Sequence, residues 1–220
     1  MKNKNRKIIV IFDFCDTIFD GQSADYFLKY IAKKLTLCEM VSFFIKRKIV
    51  YNFIADSKLQ KKYLLSSFKN MPRYMLLELA NDFFNNIILK NIHSKVLEKL
   101  MWHIDSGHVI VVASGGFDIY LKFFAEYFRI DLLCCTKLKF NNDFFTGFID
   151  GQECLGSNKV RFIKELIDLN EFDLSNSYCY SDHHSDLPIF NLVGNKIIVK
   201  NNQDISWIDN TFKILDVSKR

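Results

Sequence analysis

The stretch Ile8–Asp20, "IIVIFDFCDTIFD", decides the fold. It begins as an apolar run of the kind that forms a buried strand, and it then changes abruptly to acidic residues, with Cys15 between Asp13 and Asp16. A carboxylate at the end of a buried strand is desolvated on one side and open to a crevice on the other. Asp13 is therefore the first candidate for a reactive group.

Further apolar runs predict more strands. The stretches "GHVIVVASGG", "NSYCYSD" and "NKIIVK" have this pattern, and "KLKFNNDFFTGFIDG" predicts a hairpin around an Asn-Asn-Asp turn. In a parallel sheet the ligand crevice lies at the carboxyl ends of the strands. Three of the predicted strands end in polar residues, namely Asp13, Ser114 and Asp182. We therefore expect these three side chains to converge.

Helical patterns separate the strands. The stretch "SNKVRFIKELIDL" places Val160, Ile163 and Ile167 on one face of a predicted helix. No glycine and only one proline occur between Gln22 and Ser106, and "DYFLKYIAKKL" and "KVLEKLMWHI" have helical spacing there. The sequence thus predicts an α/β fold, with a Rossmann-like parallel-sheet core formed by residues 1–20 and 96–220 and an inserted helical cap at 21–95.

The charge of the chain is uneven. The whole sequence of 220 residues carries +5, whereas the segment from Gln22 to Lys95 contains thirteen basic and five acidic residues and so carries +8. Three interpretations remain open for this cap. It is a solvated lysine-rich surface, a positive cover that attracts an anionic substrate, or a membrane-surface face as in "SFFIKRKIVYNF".

Several features favour a cytoplasmic protein without stable membrane insertion. No run reaches the roughly 18–20 apolar residues that span a bilayer, and the apolar run before Asp13 is too short for a signal peptide. The six cysteines contain no C-x-x-C pair, so neither a disulfide framework nor a zinc site is expected. Cys134 and Cys135 lie in an apolar run and are expected in the core.

The polar strand ends are suited to phosphoryl chemistry. Asp13 can attack phosphorus and form an acyl phosphate, provided that a cation lets two anions approach. Mg²⁺ prefers oxygen ligands, which Asp182 and Asp186 of "YSDHHSDLPIF" can supply. Ser114 and the backbone N–H groups that follow it can bind phosphoryl oxygens, and Lys159 can neutralise the remaining charge. Each of these residues alone also has an ordinary structural interpretation, such as helix capping or a solvated lysine.

The order of four motifs carries a resemblance. "FDFCDTIF", "VVASGG", "GSNKVRFIKEL" and "YSDHHSDLPIF" occur in the order found in the haloacid dehalogenase superfamily of phosphotransferases. The sequence is most similar to the phosphoserine-phosphatase-like branch, which has a helical cap after the first motif, and the likeness extends from Lys7 to Val199. "DFCDT" and "SDHHSDLP" also look like members associated with bacterial capsule polysaccharide pathways.

The resemblance implies roles for particular residues. It implies Asp13 as nucleophile and Ser114 and Lys159 as phosphate holders. It also implies Mg²⁺ bound by Asp13, Asp182 and the backbone carbonyl of Cys15, with Asp186 in support.

The resemblance further implies a phosphatase that acts on a small, anionic phosphorylated metabolite, such as a sugar phosphate or a phosphorylated amino alcohol. No nucleic-acid partner is expected. We expect Gly115, Gln22 and Asp25 to join Ser114 and Lys159 in binding the substrate, because Gln22 and Asp25 lie at the start of the cap. Helix capping by Ser23 is the competing explanation for this segment.

Cys15 departs from the family pattern. The family has an aspartate there that donates a proton to the leaving group and then activates water. A thiol has an ordinary pKa of about 8.5, so it is poorly suited to this role. Asp16, His183 and His184 are candidate replacements, and an inert Cys15 remains open.

Two other functions compete with a phosphatase. A carbon–halogen hydrolase needs neither a metal nor a phosphate-binding site, so the presence of Asp182, Asp186 and Lys159 argues against it. A non-catalytic or weakly active homologue that binds a phosphorylated ligand is the stronger alternative, because Cys15 could mark a lost activity.

Overall fold

The computed structural model describes residues 6–218 of the chain. Its strands are β1 (Ile9–Phe12), β2 (Val109–Phe117), β3 (Leu132–Asn141), β4 (Phe144–Asp150), β5 (Tyr178–Ser181), β6 (Asn195–Lys200) and β7 (Phe212–Asp216). They form a seven-stranded sheet in the order β4-β3-β2-β1-β5-β6-β7. Every neighbouring pair is parallel except β3 and β4. The predicted α/β class with a parallel-sheet core is therefore confirmed.

The central strand β1 is apolar because both faces of the sheet are covered. Its residues alternate between the two sides, as strand geometry requires. Val10 and Phe12 join one core cluster, and Ile9 and Ile11 join the other. All four side chains are fully buried. The continuous apolar run of "IIVIF" thus reflects burial on both faces.

The predicted hairpin is formed by β3 and β4. The connecting residues Asn142 and Asp143 have φ values of +44° and +62°. A two-residue hairpin turn of the favoured type requires positive φ at both positions, and asparagine and aspartate tolerate it well. The chemistry of this turn explains why the hairpin could be recognised from sequence.

The helices are α1 (Ser23–Ala32), α2 (Leu37–Phe53), α3 (Ser57–Leu65), α4 (Arg73–Phe83), α5 (Ser94–Asp105), α6 (Asp118–Phe128), α7 (Ser157–Leu166) and α8 (Leu187–Phe190). The first five lie between β1 and β2. Helix α5 spans position 95, and its buried Val96 and Leu100 belong to the core cluster on the cap side. The cap boundaries at 21 and 95 stay a prediction.

Three details differ from the prediction. Helix α7 ends at Leu166, so Ile167, with φ −144° and ψ 151°, is extended and not helical. Strand β2 does not end at Ser114 but continues to Phe117, with a register shift against β3. Strand β7 was not predicted, because its residues lack a strongly apolar run.

Two expectations about composition can be compared with the structure. Cys134 and Cys135 are buried, as expected, and all six cysteines are free. Among residues 6–218 no helix has both the length and the apolar character needed to cross a bilayer.

Candidate active site

A cavity of about 690 Å³ lies at the carboxyl ends of the central strands, between the sheet and the cap helices. The core contributes Asp13, Cys15, Asp16, Gly115, Gly116, Glu153, Leu155, Lys159, Asp182, His183, Ser185, Asp186 and Gln203 to its lining. The cap contributes Gln22, Ala24, Asp25, Leu28, Tyr51, Ser57, Gln60, Lys61 and Leu64. The predicted convergence at the sheet edge is therefore present for Asp13 and Asp182.

Asp13 and Lys159 form the centre of the site. Asp13 directly follows β1, and its backbone N–H donates to the carbonyl of Tyr180 across 2.9 Å. Lys159, near the start of α7, is 2 % exposed, and its Nζ donates to Asp13 Oδ1 and to Asp186 Oδ2 at 2.6 Å each. Ser181 Oγ also donates to Asp186 Oδ2, at 2.6 Å. A fixed positive charge thus lies beside the candidate nucleophile.

Burial and neighbouring charges shift the pKa values of these groups. Burial raises the pKa of Asp13 to about 6, although Lys159 acts to lower it. Burial, with repulsion from Asp13 and Asp16, raises the pKa of Asp182 to about 8. Burial alone would lower the pKa of Lys159, but the two carboxylates beside it raise that pKa above its ordinary value. Lys159 therefore stays positively charged, and this one charge offsets the negative charges of both Asp13 and Asp186.

The residues present fit a magnesium ion. Thr17 Oγ1 lies 3.3 Å from both Asp13 Oδ2 and Asp182 Oδ1, so these two carboxylates face the same point. Burial raises the pKa of both carboxylates, and repulsion from Asp186 at Asp13 and from Asp13 at Asp182 adds to it, so a cation would relieve this cost. Asp186 Oδ1 is also buried without a hydrogen-bond partner. Mg²⁺ is commonly held by one or two carboxylates together with waters, so Asp13, Asp182 and the carbonyl of Cys15 would suffice.

Asp186 differs from the other two acids. One of its oxygens is already bound by Lys159 and Ser181. Within residues 6–218 no three His, Cys, Asp or Glu side chains form a group that could hold a metal ion. A direct metal contact by Asp186 would need its free Oδ1, and the supporting role implied by the resemblance stays a prediction.

Ser114 lies behind the wall of the cavity and does not line it. Its side chain is fully buried, and its Oγ accepts a hydrogen bond of 3.0 Å from Gly116 N–H. Gly115 and Gly116 form the wall itself. A Cβ atom on Gly116 would lie 2.7 Å from the hydroxyl of Tyr120, so only glycine fits there. The backbone at 115–116 is therefore the part of "VVASGG" that faces a ligand, and direct binding by Ser114 stays a prediction.

Gln22 and Asp25 both line the cavity, but their polar groups are engaged with protein partners. Gln22 donates to Asp16. Asp25 accepts two hydrogen bonds from Arg47, at 3.0 and 3.1 Å, and pairs with Lys29 at 2.7 Å. Burial acts to raise the pKa of Asp25, but these two cations lower it overall. Asp25 thus holds the cap helices together, and substrate binding by either residue stays a prediction.

Cys15 and Ser23 interact in the structure. Cys15 Sγ lies 3.1 Å from Ser23 Oγ, which in turn lies 2.8 Å from the hydroxyl of buried Tyr120. Ser23 is the first residue of α1 and makes no side-chain cap, so the capping explanation for it is wrong. Burial, followed by the charge of Asp13, raises the pKa of the Cys15 thiol to about 11. The thiol is therefore neutral near pH 7 and a poor proton donor.

The candidate replacements for Cys15 differ in position. Asp16 and His183 line the cavity, whereas His184 does not. The backbone N–H of Ser185 donates to His183 Nδ1 at 3.1 Å, which leaves Nε2 to carry the proton of a neutral ring. Asp16 adopts a left-handed conformation, with φ +53°, directly after Cys15. Both side chains reach the cavity, although the Asp16 carboxylate accepts a hydrogen bond from Gln22, and proton transfer by either residue stays a prediction.

Sequence reasoning missed the ion pair between Lys61 and Glu153. Lys61 Nζ, from cap helix α3, lies 2.7 Å from Glu153 Oε2 and donates to the carbonyl of Gly115 at 3.3 Å. Lys61 is the only one of the cap's thirteen basic residues that lines the cavity, whereas six carboxylates do so. Most of the positive charge of the cap therefore lies outside the site. No local pattern reveals this pair, because its members are 92 positions apart.

Known proteins share this sequence pattern and fold. The sequence profile of the haloacid dehalogenase-like hydrolases matches residues 10–191. A phosphoserine phosphatase of Methanocaldococcus jannaschii is 22% identical over 194 residues, which cover 88% of this chain and 86% of that protein. A phosphoserine phosphatase of Campylobacter jejuni subsp. doylei is 25% identical over 190 residues, covering 86% and 85% of the two chains.

A solved structure supports the same fold. The crystal structure of a protein of unknown function from Bordetella pertussis Tohama I superposes with a TM-score of 0.82 at 16% identity, and the match covers 97% of this chain and all of that one. The family match and the two relatives together support a phosphatase, that is, a hydrolase of phosphate esters. Because the family profile covers most of its length, this chain belongs to the haloacid dehalogenase-like hydrolases, in the branch that includes the phosphoserine phosphatases.

Proposed function

We propose that this protein is a Mg²⁺-dependent phosphomonoesterase that acts on a small phosphorylated metabolite through an aspartyl-phosphate intermediate. The observation that carries the proposal is the contact of 2.6 Å between Lys159 Nζ and Asp13 Oδ1. It fixes one oxygen of the buried carboxylate beside a permanent positive charge. The other oxygen, Oδ2, accepts from the hydroxyl of Thr17, which also contacts Asp182.

The proposed reaction has two steps. Asp13 attacks phosphorus in line, the bond from phosphorus to the alcohol oxygen breaks, and the alcohol leaves with a proton. Water then attacks the aspartyl phosphate, which releases inorganic phosphate and restores the carboxylate. Lys159 offsets the negative charge of the phosphoryl oxygens, and the backbone at 115–116 lies at the cavity wall where it can donate to them.

A bound Mg²⁺ ion would supply the additional positive charge that lets a carboxylate and a phosphate approach each other. Asp13, Asp182 and the carbonyl of Cys15 are the groups that would hold it. Proton transfer to the leaving oxygen falls to Asp16 or His183, which both line the cavity. The Cys15 thiol is unsuited to this step because its pKa is about 11.

The substrate class follows from the relatives and from the cavity. The two relatives named above are phosphoserine phosphatases, so a phosphorylated amino alcohol or its conjugate is the first candidate and a sugar phosphate the second. A second anionic group on the substrate could meet Lys61 of the cap. A role in capsule or glycan synthesis rests on the likeness of "DFCDT" and "SDHHSDLP" alone. A cytoplasmic location is in keeping with the six free cysteines.

The test compares wild type, Asp13→Asn and the matched control Asp105→Asn, whose side chain is exposed at the end of α5. Phosphate release from p-nitrophenyl phosphate, and then from a panel of phosphorylated metabolites, is measured with Mg²⁺ and after chelation. We expect turnover in the wild type and the control only, and only with metal. More than a few per cent of activity in freshly prepared Asp13→Asn, or full activity after chelation, would defeat the proposal.

One observation favours a second candidate function. The neutral thiol of Cys15 occupies the position where the family has its acid and base, as a non-catalytic or weakly active ligand-binding homologue would show. In that case calorimetry would detect binding of phosphorylated ligands, while no member of the metabolite panel would release phosphate.

A further inference from the structure

Helix α2 has two apolar faces, and only one of them is covered. Phe43 and Val50 point into the cap and are buried. The outer side of α2 carries five exposed apolar side chains at four-residue spacing, with exposed polar residues such as Ser42 and Asn52 between them: Leu37, Val41, Ile45, Ile49 and Phe53. Their exposed fractions range from 46 % for Val41 to 83 % for Phe53. The helix has 17 residues, so the stripe extends for about 25 Å.

The chain segment that carries this stripe is basic. From Lys33 to Lys62 the chain contains eight Lys and Arg residues and two Asp and Glu residues. Three of the eight cations, Lys34, Arg47 and Lys61, pair with acids elsewhere in the chain. Lys33, Lys48, Lys58 and Lys62 are exposed, and no carboxylate of residues 6–218 lies within ion-pair distance of them.

The two acids of this segment are engaged at helix ends. The Glu39 carboxylate accepts hydrogen bonds from the backbone N–H and the hydroxyl of Thr36 at the start of α2. The Asp56 carboxylate accepts from the backbone N–H groups of Lys58 and Leu59 at the start of α3.

The outer side of α2 therefore combines exposed apolar side chains with unpaired positive charge. Lys48 lies on α2 itself and Lys33 shortly precedes it, whereas Lys58 and Lys62 line a neighbouring cavity with Phe148 of β4. A surface that covers this side of α2 must accept apolar side chains and carry negative charge.

A second copy of this chain fits these requirements poorly. A two-fold interface places the same patch of both copies together. Such an interface brings the positively charged segments of both copies together, and like charges in proximity are unfavourable. An anionic lipid surface satisfies both requirements, because its acyl region receives apolar side chains while its headgroups attract lysines.

We propose that the outer side of α2, together with Lys33 and Lys48, is a docking surface for anionic phospholipid membranes. The apolar side chains enter the boundary between headgroups and acyl chains, and the lysines remain at the headgroups. The protein lies on the membrane without crossing it. Tyr51 and Ser57, at the junction of α2 and α3, line the active-site cavity, so docking holds this cavity near the lipid surface.

The experiment is sedimentation of the full chain with vesicles of phosphatidylcholine alone and with equal parts of phosphatidylglycerol. The variants are Ile49→Gln/Phe53→Gln in the stripe and Lys33→Gln/Lys48→Gln among the lysines of the proposed surface. The matched control is Leu166→Gln/Ile214→Gln, which replaces two exposed apolar side chains outside the cap, one on α7 and one on β7. Circular dichroism and urea unfolding verify that each variant is folded.

We expect the wild type and the control to bind vesicles with phosphatidylglycerol at least tenfold more tightly than neutral ones, with affinity that falls as salt rises. Each variant of α2 should lose at least tenfold in affinity. As a second readout, Phe53→Trp should give a blue shift of fluorescence with anionic vesicles only.

Three results would overturn the proposal. The first is absence of binding to anionic vesicles by the wild type. The second is an equal effect of the α2 variants and the control. The third is a wild-type dimer, detected by analytical ultracentrifugation, that becomes a monomer in the stripe variant, while the wild type binds no vesicles. None of these outcomes depends on phosphatase activity, so they are separate from the proposed function.

Discussion

Lys159 Nζ donates to Asp13 Oδ1 across 2.6 Å, which joins two residues 146 positions apart in the chain. The contact is buried, since the side chains of Lys159 and Asp13 are 3 % and 9 % exposed. The same ammonium contacts Asp186, so one cation serves two acids. A buried ion pair is not in itself a source of stability, but removal of one partner leaves uncompensated charge. Lys159 therefore affects both the charge of the site and the stability of the fold.

The first prediction concerns Lys159→Met, which keeps the length of the side chain but removes its charge. Asp13 and Asp186 then lose their shared cation, so we expect phosphatase activity to be lost. The free energy of unfolding should fall by about 3 kcal/mol, at the lower end of the cost of breaking a buried pair. Urea unfolding at neutral pH and phosphate release measure the two effects.

The matched control for this change is Lys164→Met, on the exposed side of the same helix α7. A solvated lysine contributes little, so the control should stay within about 0.5 kcal/mol of the wild type and keep its activity. Equal stability and activity of Lys159→Met and Lys164→Met would show that the buried pair has no such role.

The second prediction concerns the ion pair between Lys61 and Glu153. Lys61 is the only cap cation at the cavity, so a second anionic group on the substrate must compete with Glu153 for it. Glu153→Gln should free Lys61 and raise kcat/KM for doubly anionic substrates about tenfold relative to neutral ones. Lys61→Met should change this ratio in the opposite direction by a similar factor, about the effect of 1.4 kcal/mol.

The measurement is the ratio of kcat/KM for two phosphomonoesters that differ only in a carboxylate. If neither variant changes this ratio, Lys61 does not select the substrate, and the anionic preference expected from the charge of the cap has no structural support. A parallel loss for both substrates in Lys61→Met would instead indicate that the pair only holds the cap against the core.

Local sequence signals predicted the parts of the site that lie next to secondary structure. Asp13 and Asp182 could be placed because each directly follows a short apolar strand, and neighbouring parallel strands bring their carboxyl ends together. The hairpin could be placed because Asn142 and Asp143 tolerate positive φ. Lys159 gave a weaker signal, because a lysine at the start of a helix is usually solvated, and the resemblance to a family added its role as a phosphate holder.

The contacts that sequence could not predict are long-range. The net charge of the cap suggested a positive cover for the substrate, but Lys61 is the only one of its basic residues that lines the cavity. The hydrogen bond between Ser23 and Tyr120 joins residues 97 positions apart. Such contacts depend on how the cap helices pack, which no local pattern of charge or hydrophobicity specifies.

The third prediction is a pH dependence of stability that arises from His103. This histidine is fully buried in α5, with its Nε2 at 2.9 Å from the hydroxyl of Tyr180 and its Nδ1 at 2.8 Å from Nδ1 of His108. Burial, with the positive charges of His108 and Lys99, lowers the pKa of His103 to about 4. The ordinary value is about 6.5, so between these values the unfolded chain takes up a proton that the folded chain does not.

The contribution of neutral His103 to the free energy of unfolding should therefore be complete above pH 6.5. The free energy of unfolding should fall as the pH is lowered from there towards 4. The loss is about 1.4 kcal/mol for each unit by which the folded and unfolded pKa values differ. Urea unfolding at pH 7 and pH 5 measures it. His103→Gln, which does not titrate, should reduce the change, whereas exposed His184→Gln should not. An equal change in all three proteins would contradict the assignment.

The last prediction concerns Cys15. Its thiol is neutral near pH 7, because burial and the charge of Asp13 raise its pKa to about 11. We therefore expect only its backbone carbonyl to matter, so Cys15→Ala and Cys15→Ser should keep most of the activity on p-nitrophenyl phosphate. The leaving group of that substrate needs little help from an acid. A large loss in folded Cys15→Ala with unchanged Mg²⁺ binding would instead give the thiol a chemical role.

The complementary change is Cys15→Asp, which restores the acid and base found in the family. The hydroxyl of Ser23, now 3.1 Å from the sulfur, is placed to donate to the new carboxylate and so to stabilise its charged form. General acid–base catalysis typically contributes about 10²–10⁴-fold, so kcat/KM for an alkyl phosphate should rise much more than for p-nitrophenyl phosphate. Absence of a gain would mean that another group already supplies the proton. In that case Asp16→Asn and His183→Gln should lose activity on the alkyl phosphate while keeping most of it on p-nitrophenyl phosphate, because both side chains line the cavity.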